Sequence, residues 1–196
     1  MKKNNKLDRM VKVSLLSAIA FILMYFDFPV IPAFPWLKID LSDVAALMGG
    51  FAFGPLTAVV IEVFKNVLII LFKGTGTGFI GELANVLVGV ALVLPPALLY
   101  KKVRTKKVAL VGMALGTVSI EVIGILANVF LLLPAYGMNL AGTELKNYIL
   151  FGLLPFNGIK AIMVSVVTFI LYKKLSVAVF KVEPMMNKRK LEKKIS

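Results

Sequence analysis

A series of six apolar segments constrains this chain more than any other feature. The segments lie at about residues 11–26, 43–54, 56–72, 79–100, 108–134 and 148–172. A helix needs about 20 apolar residues to cross the roughly 30 Å hydrocarbon core of a bilayer, and most of these segments approach that length. Apolar residues make up 59% of the chain, more than the ~45–50% of ordinary soluble domains. The sequence therefore predicts an all-α integral membrane protein with six transmembrane helices.

The second and third segments are separated only by Gly54-Pro55. Proline has no amide donor, and it disfavours helix at the residue before it. One helix through both segments would have about thirty residues, which is too long for a single crossing without severe tilt. We therefore predict two helices here, the first of them short.

The positions of the basic residues predict the topology. All but five of the 23 Lys and Arg residues fall into three clusters, before the first helix, between the fourth and fifth, and after the sixth. The clusters are Lys2, Lys3, Lys6, Arg9 and Lys12; Lys101, Lys102, Arg104, Lys106 and Lys107; and Lys173, Lys174, Lys181, Lys188, Arg189, Lys190, Lys193 and Lys194. Six crossings place all three on one face, which the positive-inside rule identifies as cytoplasmic.

This charge distribution predicts one six-helix membrane domain over residues 1–175, with both termini cytoplasmic, and a basic cytoplasmic tail over 176–196. The net charge of +13 is then explained by topological anchoring and by attraction to anionic membrane lipid. No nucleic-acid partner is needed to account for it.

Several kinds of chemistry are disfavoured by what the sequence lacks. It has no cysteine and no histidine, so thiolate metal sites, cysteine nucleophiles and the commonest general base are absent. Asp40 and Asp43 have no third carboxylate nearby, and Asp43 is predicted to cap the N-terminus of the second helix. No P-loop motif occurs. We therefore predict no enzymatic activity, no metal and no cofactor.

The loop between the first two helices, residues 26–43, is not an ordinary linker. Pro29, Pro32 and Pro35 recur every third residue, which blocks helix and favours an extended, polyproline-like path. The residues between them are apolar, and non-helical backbone beside a bilayer is tolerated where it packs into the protein or lines a cavity. One hypothesis is an ordered external loop that folds over a pocket. The alternative is an aromatic belt, with Phe34 and Trp36 at headgroup depth.

Five polar residues within the predicted helices lie in the same leaflet as this loop. They are Glu82, Asn85, Asn128, Asn157 and Lys160. Polar groups inside a membrane are costly and usually functional, although any one of them could serve only to join helices. A cluster beneath an aromatic loop favours a ligand pocket for an amphipathic, ring-bearing molecule.

A second polar set lies on the third helix and comprises Glu62, Lys65 and Asn66. Glu62 and Lys65 are three residues apart, so an internal ion pair is the expected role of these two. Glu121, midway along the fifth helix, has no evident partner in the sequence. The segment GTGFIG at 76–81 matches a dinucleotide-binding pattern, but it follows an apolar helix, so we interpret it as an external turn.

Four blocks of the sequence, in this order, closely resemble a known family. The blocks are FPVIPAFPWLKIDLSDVAALMGGFAFGP, IEVFKN, LFKGTGTGFIGELANVLVG and FNGIK. They resemble the riboflavin-binding S components of energy-coupling factor (ECF) transporters. The resemblance implies a six-helix, substrate-binding subunit in the cell membrane of a prokaryote. Its partners would be a transmembrane coupling protein and two cytosolic ABC-type ATPases, and riboflavin or its phosphate FMN would be the transported ligand, not a cofactor.

The resemblance also implies roles for individual residues. Phe34, Trp36 and Leu37 would form the apolar wall and lid around the isoalloxazine ring. The polar partners of the ring edges and ribityl hydroxyls would be Lys38, Asp40, Asn85, Asn128, Asn157 and Lys160. The family docks its coupling protein at an A-x-x-x-A motif on the first helix, where this chain has Ser14 and Ala18.

Three alternatives to a riboflavin subunit remain at this point. The chain could be an S component for another vitamin or a flavin phosphate, a solitary vitamin facilitator, or, more remotely, a membrane-embedded enzyme.

Overall fold

The computed structural model describes residues 5–178, with side chains over residues 6–172. Six helices account for most of this part of the chain: α1 (Asn5–Tyr25), α2 (Ser42–Phe53), α3 (Pro55–Lys73), α4 (Ile80–Lys102), α5 (Lys106–Ala135) and α6 (Gly142 to Ala178). Two strands of two residues each, β1 (Phe28–Pro29) and β2 (Lys38–Ile39), lie between α1 and α2. The prediction of an all-α fold with six helices is confirmed. The predicted basic tail lies almost wholly outside the described residues.

Four of the helices, α3 to α6, are long and apolar enough to cross a membrane. Helix α2 has only twelve residues, or about 18 Å at 1.5 Å per residue. Eleven of those twelve are buried. Helix α2 is therefore a central element enclosed by the others, and the prediction that it is short is confirmed.

The described part of helix α1 starts at Asn5, before its apolar segment. Lys12 pairs with Asp8 one turn away, at 2.7 Å. Arg9 donates hydrogen bonds to the Phe53 carbonyl oxygen at 3.0 Å and to Thr57 Oγ1 at 2.9 Å. These contacts hold the charged first turns of α1 against the junction of α2 and α3, which explains why the helix extends beyond its apolar part.

The junction between α2 and α3 has the predicted break. Gly54 adopts φ = +103°, a conformation that residues with a Cβ rarely adopt, and Pro55 begins α3. Proline is favoured at a first helical position because the amide there has no intrahelical acceptor. The two helices are therefore separate.

Helices α4 and α5 pack closely through two glycines. A Cβ atom added at Gly112 would lie 2.6 Å from the Cα atom of Pro96, and one at Gly116 would meet the backbone of Leu92. Small residues of this kind let helix backbones approach in membrane proteins. This contact fixes α5 beside α4. It thereby sets the relative positions of Asn85 on α4 and Asn128 on α5.

The loop between α1 and α2 is a short hairpin with two consecutive turns. Strands β1 and β2 pair antiparallel. The amide of Phe34 donates to the Ile31 carbonyl oxygen at 2.9 Å, and that of Leu37 donates to the Phe34 carbonyl oxygen at 3.0 Å. The predicted polyproline-like path is wrong, because Pro32 and Pro35 each occupy the second position of a turn, where their fixed φ is also favourable.

The apolar side chains of this hairpin pack onto the ends of α5 and α6. Leu37 and Ile39 are buried in a cluster with Leu133, Tyr148 and Phe156. Of the two hypotheses for the loop, the structure therefore favours packing into the protein over an exposed aromatic belt.

Two π-helical turns lie near this hairpin, at Asn128–Leu132 in α5 and at Tyr148–Leu153 in α6. Such turns are rare and occur frequently at functional sites, because each inserts a residue and changes the direction of the side chains around it. Here they bring Asn128 and Tyr148, from different helices, into hydrogen-bonding distance.

Candidate substrate-binding site

A cavity of about 580 Å³ lies beneath the hairpin, among the facing parts of α3 to α6. Its size is within the range of small-molecule sites, about 300–1,000 Å³. Seven of the nine predicted binding residues line it: Trp36, Leu37, Lys38, Asn85, Asn128, Asn157 and Lys160. Glu82, the remaining member of the predicted polar cluster, lines it as well. The structure thus brings residues from four separate parts of the chain to one cavity.

The other two predicted residues lie behind the lining. The Phe34 ring is 5.7 Å from that of Trp36 and 5.2 Å from that of Tyr148, and Gly152 leaves room for it, since a Cβ there would lie 2.9 Å from the ring. Asp40 is 4% exposed, and its Oδ2 is 3.6 Å from the Lys160 ammonium group. Both residues therefore support side chains that line the cavity.

A chain of hydrogen bonds joins the hairpin to α5 and α6. Trp36 Nε1 donates to the Tyr148 hydroxyl at 3.3 Å, which in turn donates to Asn128 Oδ1 at 3.0 Å. Asn128 Nδ2 donates to the Gly124 carbonyl oxygen at 2.8 Å. This chain sets the orientation of the Asn128 amide in the cavity wall and anchors the hairpin above it.

Tyr148 is the main residue of this site that the sequence analysis missed. It is 1% exposed and contacts the hairpin through both its ring and its hydroxyl. The available signal was a tyrosine at the outer start of the sixth apolar segment, beside a loop rich in aromatic residues. Buried tyrosines usually find a hydrogen-bond partner for the hydroxyl, but nothing in the sequence identifies Asn128 as that partner.

Asn157 lines the cavity and has a buried acceptor without a hydrogen-bond partner among the described residues. Its side chain is fully buried, and the acceptor is Oδ1. Nδ2 makes only a long contact of 3.5 Å with Glu121 Oε2, which gives Glu121 the neighbour that the sequence did not reveal. Leaving a buried acceptor unpaired costs about 1–3 kcal/mol, so a ligand that donates to Asn157 would recover that loss.

The Lys160 ammonium group pairs with two carboxylates. Its ammonium group is 3.0 Å from Asp43 Oδ2 and 3.6 Å from Asp40 Oδ2, and it is 3% exposed. The charge of Lys160 is therefore balanced within the protein.

The same carboxylates continue into the second polar set. Lys65 Nζ contacts Asp43 Oδ1 and is 2.7 Å from Glu62 Oε2 and 2.7 Å from Ser42 Oγ. The predicted ion pair of Glu62 and Lys65 is confirmed. The pair is nevertheless part of a larger buried charge cluster, which we define as Asp40, Asp43, Glu62, Lys65 and Lys160. A buried charge is tolerated when partners and hydrogen bonds compensate its lost hydration.

The prediction that Asp43 caps α2 is wrong. Leu41 occupies the N-cap position, with no side-chain cap, and Asp43 lies in the first turn. The amide of Ser42 instead donates to Asp40 Oδ1 at 2.8 Å. The Asp43 carboxylate lies between two buried ammonium groups, and in an environment of low dielectric that attraction exceeds the gain from a capping bond.

The mouth of the cavity carries balanced charges. The Asp27 carboxylate is 3.5 Å from Lys38 Nζ and 3.3 Å from Lys73 Nζ, and all three side chains are partly exposed. Glu82 accepts a hydrogen bond from Thr75 Oγ1 at 3.0 Å. Lys38 therefore reaches the cavity as a member of an ion pair and not as a free cation.

The two predicted docking residues lie on α1 and do not line the cavity. Ser14 and Ala18 are both exposed, whereas Leu16, Ser17 and Ala20 on the same helix are buried. The small residues thus face away from the bundle of this chain.

Comparison with known proteins agrees with this architecture. Residues 8–172 match the family model described as the ECF transporter substrate-specific component. The riboflavin transporter FmnP of Bacillus subtilis (strain 168) is 39% identical over 177 residues, which cover 87% of this chain and 93% of that protein. The riboflavin transporter RibU of Staphylococcus aureus (strain TCH60) is 38% identical over 172 residues, 86% of this chain and 90% of that protein.

A solved structure is similar as well. It is described as the S component of a bacterial ECF transporter and is 35% identical to this chain, with a TM-score of 0.75. The match covers 88% of this chain and 97% of that one.

Proposed function

This chain belongs to the family of ECF transporter substrate-specific components, and we propose that it is the membrane subunit that binds riboflavin for uptake. As a member of this family it is a transporter subunit and not an enzyme. The observation that carries the riboflavin assignment is the cavity beneath the hairpin, since it combines an aromatic lid with amide groups in a chain similar to two riboflavin transporters.

The chemistry of the cavity suits a flavin. An isoalloxazine ring is flat and apolar on its faces and has donors and acceptors along its edges. We assign its faces to Trp36 and Leu37, with Phe34 supporting the lid from behind. The amides of Asn85, Asn128 and Asn157 both donate and accept hydrogen bonds, so they can pair with ring edges or ribityl hydroxyls. We assign Lys38 and Lys160 the role of hydrogen-bond donors to the ligand. We assign Asp40 the role of positioning the Lys160 ammonium group.

We propose that riboflavin is preferred over FMN. A phosphate would need an excess of positive charge at its site. The mouth instead has Lys38 and Lys73 already paired with Asp27, and Glu82 lies nearby. Lys160 is paired with Asp43 and Asp40. The charge balance of these residues favours the uncharged vitamin.

The membrane topology and the partners complete the proposal. We propose six crossings, with both termini in the cytoplasm and the hairpin outside, in the plasma membrane of a prokaryote. The subunit would work with a transmembrane coupling protein, docked at the face of α1 that carries Ser14 and Ala18, and with two ABC-type ATPases. Because the chain has no cysteine, single cysteines at Thr105 and Gly76 test the topology: an impermeant reagent should label only the second in intact cells.

The first experiment is a titration of the detergent-purified protein with riboflavin, followed by flavin fluorescence. We expect a saturable quench. Asn157→Ala should weaken binding by about 5- to 150-fold, equivalent to ~1–3 kcal/mol for one lost partner. Asn139→Ala is the matched control, because Asn139 is exposed and lies outside the cavity lining. A protein that leaves flavin fluorescence unchanged, and contains no flavin after purification, would contradict the assignment.

Uptake in cells separates an ECF subunit from a solitary facilitator. We expect labelled riboflavin to accumulate only when the coupling protein and both ATPases are expressed with this chain. Uptake that persists without the ATPases would favour a facilitator. A titration with FMN in parallel tests the charge argument, since equal affinity for FMN and riboflavin would contradict it.

A further inference from the structure

A second, smaller cavity lies on the outside of the bundle between α5 and α6. It has a volume of about 320 Å³ and shares no lining residue with the substrate cavity. Leu110, Met113, Ala114 and Thr117 line it from α5, and residues between Ile162 and Ile170 line it from α6. We call it the α5–α6 groove.

The groove is apolar and open at its sides. Met113 forms its floor and is 3% exposed, whereas Leu110 and Ile162 at its walls are 52% and 62% exposed. From Leu110 to Thr117 it extends about 10 Å along the helix axis. This length lies within the roughly 15 Å depth of one leaflet of the hydrocarbon core.

One end of the groove is next to a cluster of positive charge. Lys106 and Lys107 are exposed, and they precede Leu110 by four and three residues, about one helical turn. They belong to the first turn of α5, where the helix dipole adds positive potential. The stretches 101–120 and 161–172, which include the groove-lining parts of α5 and α6, contain no acidic residue.

We propose that the α5–α6 groove binds one acyl chain of an anionic phospholipid, and that Lys106 and Lys107 bind its headgroup. The basic end attracts a negative group, and the apolar trough continues from it in the direction a lipid tail would take into the membrane. The basic end favours an occupant with a negative headgroup and an apolar tail over an apolar helix, which has no charge to place beside Lys106 and Lys107.

This site differs from general attraction of lysines to a membrane surface because it also requires the shape of the groove. Diffuse attraction depends on the number of basic residues near the surface. Lipid binding at a specific site depends on which lysines are removed and on whether the groove is blocked. Two pairs of matched variants distinguish these cases.

The experiment is native mass spectrometry of the full chain with phosphatidylglycerol and, separately, phosphatidylethanolamine. We expect one phosphatidylglycerol to be retained preferentially. The double variant Lys106→Gln/Lys107→Gln should bind it about 30-fold more weakly, as expected for two lysines near an anionic group. Lys101→Gln/Lys102→Gln makes the same charge change at the end of α4 and should have less than a threefold effect.

The groove itself is tested by Ala114→Trp, which fills it from an exposed position of α5. We expect this variant to lose the retained lipid. Val118→Trp is the control, because Val118 is exposed on the same helix but does not line the groove. Circular dichroism melting shows whether each variant is folded, so the test does not depend on riboflavin binding.

Two results would overturn the proposal. Equal loss of lipid in the two lysine pairs would show diffuse attraction only. If Ala114→Trp retained lipid but failed to assemble with the coupling protein, the groove would instead be a protein interface.

Discussion

Replacing Lys65 with methionine tests whether the buried charge cluster is held together by this one ammonium group. Lys65 is fully buried and contacts carboxylates on two helices, Glu62 on α3 and Asp43 on α2. Methionine keeps much of the apolar stem but removes the charge. The variant would leave the buried carboxylates of Glu62 and Asp43 without the Lys65 ammonium group. Lys160 would be the remaining positive charge in the cluster.

The expected loss of stability is about 3–5 kcal/mol, the usual cost of removing one partner from a buried ion pair. For a chain of this size, each kcal/mol lowers the melting temperature by about 2–4 °C, so the decrease should be about 6–20 °C. The measurement is thermal unfolding of the detergent-purified protein. Lys73→Met is the matched control, because Lys73 is exposed and pairs with Asp27 at 3.3 Å, and surface pairs contribute about 0–1 kcal/mol.

A second substitution makes the test specific to charge. Lys65→Met/Glu62→Gln restores the net charge of the cluster to that of the original chain, so we expect it to recover more than half of the lost melting temperature. Two results would refute this reasoning. The first is a Lys65→Met variant that melts within about 2 °C of the original protein, and the second is a double variant that melts below the single one.

Three further predictions concern the hairpin and the helix break. Tyr148→Phe should weaken riboflavin binding by about two- to tenfold, since one hydrogen bond contributes about 0.5–1.5 kcal/mol; Trp36 is the only tryptophan, so its emission should shift as the hairpin loosens. Gly152→Ala should displace the hairpin and shift the same emission, whereas Gly158→Ala, whose added Cβ would have its nearest neighbour at 3.6 Å, should leave it unchanged. Gly54→Ala should cost about 1–3 kcal/mol, because its backbone conformation of φ = +103° and ψ = +168° is essentially restricted to glycine; thermal unfolding measures the loss, and no change in melting would contradict the strain argument.

Much of the fold was predictable because membrane helices follow from local features. Segment length, the break at Gly54-Pro55 and the cost of polar groups in a membrane identified the six helices and five of the polar residues that line the cavity. The path of the hairpin was not predictable, because proline at every third residue suits both a polyproline helix and consecutive turns. Packing of Leu37 and Ile39 on α5 and α6 decides between them, and that packing is not encoded locally.

The role of Asp43 shows the same limit for the site. An acidic residue at the start of a helix suggests a cap, and nothing near it in sequence suggests otherwise. Its partners Lys65 and Lys160 are brought to it by α3 and α6. A side chain whose function depends on such distant partners cannot be assigned from local spacing alone, and Tyr148 with Asn128 is a second example.

The buried charge cluster also has a consequence for the biogenesis of this protein. A charged residue at the centre of a helix costs about 2.5–3.5 kcal/mol on insertion through the translocon. Glu62 and Lys65 compensate each other within α3, and Asp43 is in the helix just before them. We therefore expect α2 and α3 to enter the membrane together, as a pair of helices in which Lys65 already contacts Glu62 and Asp43.

Lys160 is synthesised about 95 residues after Lys65, or roughly 5–20 s later at 5–20 residues per second. Until α6 enters the membrane, Asp40 and Asp43 lack their partner Lys160. Insertion of α6 is then the step that brings the second cation, Lys160, to the cluster and closes the site. Chains that stop before α6 would leave Asp40 and Asp43 without Lys160, so we expect them to be less stable than the full chain.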